Sequence, residues 1–124
     1  MKGVVAYIAG PITDRLSTYK AEFDAATKHL ESLGAVVLNP AMLPVGLRSH
    51  EAYMRICLPM LAEADVICLL PGWKESKGAL REQKRATECG MRQYQLHLGG
   101  DEGAPVVLDM TLMHEGDPSW LSKA

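Results

Sequence analysis

The sequence predicts a single α/β domain with a mostly parallel sheet of four to five strands. Two observations carry this reading. Short apolar runs alternate with segments of helical periodicity and matching length. The junctions between them hold glycine, proline or a capping hydroxyl. The 124 residues, 48% of them apolar, suit one compact core, so residues 1–124 are read as one domain. Right-handed crossovers between parallel strands then make a small Rossmann- or flavodoxin-like three-layer sandwich.

The elements follow in order. Gly3–Ala9 (GVVAYIA) is a continuous apolar run ended by Gly10-Pro11, as expected of a strand buried on both faces. Tyr19–Leu33 repeats Tyr19, Phe23, Ala26, Leu30 and Leu33 at helical spacing. Ser17 or Thr18 is placed to cap this helix, and Gly34 to stop it. Ala35–Pro40 is the second strand, and Met42–Ser49, with Pro44 and Gly46, reads as a loop. Glu51–Glu63 is helical with Tyr53, Ile56, Met60 and Cys57 as its inward candidates; Pro59 falls inside it. Ala64–Leu70 is the third strand, and Lys77–Cys89 the third helix, closed by Gly90. Arg92–Leu98 is a fourth, more polar strand. Gly99–Pro105 reads as a turn or flexible loop, Val106–Met110 as a short fifth strand, and the tail from His114 has little pattern.

Composition excludes several classes of function. The net charge is −2 with no basic block, which argues against a nucleic-acid duplex or an anionic membrane as partner. No run reaches transmembrane length, and the N-terminus reads as a first strand and not as a signal peptide. The three cysteines, Cys57, Cys68 and Cys89, are odd in number and lack CxxC spacing. They are read as reduced thiols of a cytoplasmic protein. The four histidines are scattered, so no protein-bound metal is expected.

In this architecture strands one and three are neighbours, and ligands bind beyond their carboxyl ends. Two loops meet there: Ala9–Asp14 and Pro71–Gly78. The first, in YIAGPIT (Tyr7–Thr13), is not a G-x-G-x-x-G fingerprint, but Gly10 permits close ligand approach and Thr13 offers a hydroxyl. The second, PGWKESKG, sets an exposed-looking indole, Trp73, before Ser76 and Gly78 at a helix start. Helix N-terminal amides beside a hydroxyl and a glycine suit an anion such as a phosphate. An indole suits a planar base. Glu82 lies one turn further on, and Tyr7 is the nearest hydroxyl to orient it. A carboxylate facing a sugar carbon can trap the oxocarbenium-like state of N-glycosidic cleavage.

The order YIAGPIT, VVLNPA (Val36–Ala41) and YMRICLPMLAEADVICLLPGWKESKGALRE (Tyr53–Glu82) resembles a phage- and prophage-rich family of small uncharacterised proteins. That family is similar to the nucleoside 2-deoxyribosyltransferase-like superfamily, which includes 2′-deoxynucleoside 5′-monophosphate N-hydrolases. The resemblance covers roughly residues 4 to 98, and its LLPGW-x-x-S-x-GA-x-x-E block is the most specific part. It implies a flavodoxin-like fold, homodimers or larger homo-oligomers, no cofactor, and a nucleoside or nucleotide ligand. It makes Glu82 the nucleophile, Tyr7 its orienting hydroxyl, Ser76 and Gly78 the phosphate contacts, and Gly10, Pro11 and Ile12 the first ligand-binding turn. It makes Asp65 a structural aspartate. The superfamily's second catalytic carboxylate falls at Cys57, where this chain has a thiol; Glu51 and Glu63 are out of register.

The leading expectation is therefore cleavage or transfer at the N-glycosidic bond of a deoxynucleoside or its 5′-monophosphate. The alternative is a non-catalytic protein that sequesters a nucleotide. Self-association is expected independently, because Met42, Leu43, Val45 and Leu47 form an apolar loop without an obvious partner.

Overall fold

The computed structural model describes residues 1–116. Its strands are β1 (Val5–Ala9), β2 (Val36–Leu38), β3 (Val66–Leu69), β4 (Arg92–Asp101) and β5 (Ala104–His114). Its helices are α1 (Tyr19–Ser32), α2 (His50–Ala62) and α3 (Lys77–Glu88). They form one five-stranded sheet in the order β2-β1-β3-β4-β5. The first four strands run parallel and β5 is antiparallel to β4. β1 and β3 are neighbours, with Tyr7 opposite Ile67, so the expected switch point is present.

Strand parity sorts the core into two halves. Ala6 and Ile8 of β1, with Val66 and Cys68 of β3, join Tyr19, Phe23, Ala26 and Leu30 of α1 on one face. Tyr7 and Ala9, with Ile67 and Leu69, face α2 and α3 through Cys57, Leu61, Ala79 and Ala86. Period-two alternation makes these assignments inseparable: once Ile8 meets α1, Tyr7 must face the other helices.

Four local expectations are corrected. Helix α2 buries Met54, Cys57 and Leu61, and Ile56 is largely exposed. Tyr53 lies at the core margin because its hydroxyl donates to the Pro44 carbonyl at 2.8 Å, holding the loop before the helix. Leu33, expected to face inward from α1, sits at the helix end and is exposed. The stretch from Gly99 to Pro105 is not an irregular loop: β4 runs to Asp101, and only Glu102 and Gly103 separate it from β5. The ladder continues through Gly99 opposite Val106 and Gly100 opposite Pro105, with register shifts that sequence alternation alone does not reveal. Trp73, finally, is buried at 6% exposure. Gly72 takes φ 86°, and the indole N–H that follows donates to Gln95 Oε1 at 2.7 Å. With its polar edge satisfied inside the fold, the ring packs as core.

Candidate functional site

The carboxyl ends of β1 and β3 open into a cavity of about 600 Å3. Its walls come from the turn after β1, the first turn of α1, the loop before α2, the first turns of α2, and the start of α3. Among the described residues, no group of three or more His, Cys, Asp or Glu side chains is placed to hold a metal ion.

The buried polar cluster at the cavity wall follows from the parity of β1. Tyr7 points toward α3, where Glu82 stands one turn into the helix, and the Tyr7 hydroxyl donates to the Glu82 carboxylate. Tyr7 is wholly buried and Glu82 is 5% exposed, yet Glu82 lines the cavity. Burial pushes the Glu82 carboxyl up to about 7, against the opposing effect of the Tyr7 hydrogen bond. The Tyr7 hydroxyl is itself pushed upward, first by burial and then by the neighbouring carboxylate, so it remains a donor. Cys57 of α2 completes the cluster. Its thiol is raised by burial first and by Glu82 second, while Tyr7 acts in the opposite direction. A neutral thiol therefore stands where it meets both partners.

The α3 N-terminus forms the adjoining wall. Ser76 is the N-cap, its Oγ accepting from the Ala79 amide at 3.2 Å. The Leu80 amide donates to the Ser76 carbonyl. Lys77 and Gly78, whose amides precede the first helical hydrogen bond, line the cavity. Glycine at position 78 leaves room for α2, because a Cβ there would lie 3.3 Å from His50 Cε1. The ion pair Arg81–Glu51, at 2.6 Å, ties the starts of α2 and α3 together on the surface.

Of the residues expected at a site, Glu82, Cys57, Gly10, Ile12, Thr13, Ser76 and Gly78 line this one cavity, and Tyr7 stands directly behind Glu82. Pro11 and Trp73 do not line it. Gly10 has a packing reason of its own: a Cβ there would meet Leu70 Cβ at 2.7 Å, where strands β1 and β3 end side by side. Leu43, Val45 and Leu47 of the apolar loop are cavity wall, while Met42 points to solvent at 84% exposure. Asp65 accepts from the Val5 amide at 2.9 Å, away from the cavity, in a structural role.

Sequence reasoning missed Tyr19, His50 and Met54 as cavity residues. The first two open α1 and α2, respectively. Their position at helix starts, on the side where parallel strands end, was the available signal. Among the described residues, no helix is long and apolar enough to cross a membrane.

No curated protein matches this sequence. The model of a domain family of unknown function, DUF4406, matches residues 4–94, from the residue before β1 to the third residue of β4. The match covers most of the chain, so the chain belongs to this family, and the matched span holds Tyr7, Cys57, Ser76 and Glu82.

Proposed function

We propose that this protein cleaves, or transfers at, the N-glycosidic bond of a deoxynucleoside 5′-monophosphate or the corresponding nucleoside. The observation that carries the reading is the buried Glu82–Tyr7 pair at the wall of a cavity, one turn beyond the capped N-terminus of α3. The resemblance to the nucleoside 2-deoxyribosyltransferase-like superfamily supports the same assignment.

In this mechanism the 5′-phosphate rests at the α3 N-terminus, near Ser76 and Gly78. The Glu82 carboxylate attacks C1′ of the sugar. The bond from C1′ to the base nitrogen breaks, its electron pair leaves with the base, and a proton from water neutralises it. Water then attacks C1′ of the glycosyl ester, returning Glu82 and releasing deoxyribose 5-phosphate; a second base in place of water completes a transfer. Tyr7 keeps the carboxylate in one orientation before attack. Its hydrogen bond favours the ionised carboxyl, which burial opposes, so the attacking form accumulates only as the pH rises through about 7.

Cys57 supports a second reading. A neutral thiol stands where the superfamily carries its second carboxylate, and a thiol is a poor acid toward a departing base. A protein that binds the nucleotide and turns it over slowly, or not at all, fits this substitution. Cytoplasmic placement and a homo-oligomeric state, suggested by the sequence and the resemblance, belong to the same proposal.

The test is incubation with a panel of deoxynucleosides and their 5′-monophosphates, followed by chromatography for free base. Base release from at least one monophosphate is the expected result. Binding without release identifies the sequestering protein, and neither binding nor release refutes both readings.

A further inference from the structure

The burial of Trp73 leaves the proposed nucleotide without its expected base contact, and the structure offers another aromatic residue in the cavity. Tyr19 opens α1 and lines the cavity, yet only 4% of its surface is exposed. Its ring meets Phe23 edge to face, with centroids 6.4 Å apart and planes at 81°. This contact and the helix start fix the ring's position. The hydroxyl is different. It has no hydrogen-bond partner among the described residues, and no fully buried side-chain nitrogen or oxygen there is left unsatisfied. The Tyr19 hydroxyl therefore keeps an opening to solvent, and the opening its residue lines is the cavity.

A held ring with a free hydroxyl is suited to recognition. Burial has already removed most of the ring's freedom, so a ligand bonding the hydroxyl loses little further side-chain entropy. Placement also agrees. α3 packs on one face of the sheet and α1 on the other. A ligand with its anionic end at α3 and its reacting carbon at Glu82 extends across the ends of β1 and β3 toward α1.

Resting on the function proposed above, we infer that Tyr19 is the specificity residue for the heterocyclic base. Its hydroxyl donates to an acceptor atom on the base edge. Phosphate and sugar are held from the α3 side.

The experiment compares the full-length parent with Tyr19→Phe, which removes the hydroxyl and keeps the ring. The ligands are the common deoxynucleoside 5′-monophosphates and deoxyribose 5-phosphate, which has no base. Dissociation constants come from calorimetry at low temperature, or KM from initial rates where a nucleotide is cleaved. The expected outcome is a roughly 2- to 12-fold weakening for nucleotides, the worth of one neutral hydrogen bond, with deoxyribose 5-phosphate unaffected. An unchanged melting temperature is expected too, since the hydroxyl bonds nothing in the protein. Nucleotide affinity equal in parent and variant overturns the role of Tyr19 and leaves the functional reading standing. Equal weakening of nucleotide and sugar phosphate also overturns it, because the effect then does not concern the base. A parent that binds neither ligand overturns the functional reading and this assignment together.

Discussion

The two faces of the sheet bury cysteines in different company. Cys68 of β3 lies among Ile8, Val66 and Leu70 on the α1 face, where burial alone pushes its thiol up to about 12. Cys57 of α2 lies on the opposite face beside Tyr7 and Glu82, and its thiol responds to a carboxylate as well as to burial. Around Cys68 the α1 face is apolar packing. The other holds a carboxyl and a phenol deep in the fold, at the edge of a cavity. Burying a carboxyl without a full counter-charge is destabilising. The contrast separates a thiol set only in apolar packing from one set beside a buried carboxyl that borders the cavity.

The largest expected effect comes from removing that carboxyl. Glu82→Gln keeps the shape and the Tyr7 contact but cannot attack carbon. Base release should fall at least ~100-fold, on the scale of groups acting in the transition state. Chromatography of reaction mixtures measures it, and unchanged release would take Glu82 out of the mechanism.

The same substitution sharpens the contrast through stability. The folded protein holds the Glu82 proton more tightly than the unfolded chain, its carboxyl being raised from an ordinary 4.5 to about 7. That contribution to stability is fully present below about pH 4.5 and is lost as the pH rises through about 7. Relative to Glu82→Gln, the parent should therefore lose roughly 3 kcal/mol across this window. Denaturant titrations of both proteins at several pH values test this. A difference independent of pH would mean that the carboxyl is not held protonated by burial.

Cys57 and Cys68 should then part company. Cys57→Asp restores a carboxyl beside the site and should raise base release by about 100-fold, the usual worth of a positioned general acid. It should also lower stability, because the new carboxyl shares its surroundings with Glu82. Cys68→Asp, wholly buried in the apolar cluster of the α1 face, should only unfold the protein. Brisk turnover by the parent, with no gain in Cys57→Asp, would show that the departing base takes its proton elsewhere.

The smallest effect concerns Trp73, which the structure buries in the core. Trp73→Phe should cost about 1–3 kcal/mol of stability through the lost hydrogen bond to Gln95 and the reduced packing. Nucleotide binding should be unchanged. A large loss of affinity at full stability would return the indole to the site.

Much of this was legible beforehand for physical reasons. Apolar runs such as Gly3–Ala9 and Ala64–Leu70 have little solvated face, so they predict buried parallel strands. Ser76 before a helical run predicts an N-cap, and the cap is present. The pairing of Glu82 with Tyr7 was accessible through the switch-point rule, because strand ends and helix starts converge there. The inward face of α2 was not accessible. Its apolar residues nearly encircle the helix, and only contact with β1 and α3 selects Met54, Cys57 and Leu61 over Tyr53 and Ile56.

By itself, then, the sequence determined the α/β alternation, the three helices, the neighbouring of β1 and β3, the Ser76 cap, and the nearness of Tyr7 to Glu82. These depend on local periodicity, caps and chain connectivity. Tertiary structure alone decided the fate of Trp73, the extent of the β4–β5 hairpin, and the presence of Tyr19 and His50 in the cavity. Each of these turns on partners distant along the chain: Gln95 for the indole, and Leu108, packed over the Cα of Gly99, in the hairpin. A local pattern states which side chains prefer burial, but not which distant group will complete their hydrogen bonds or fill the space beside them.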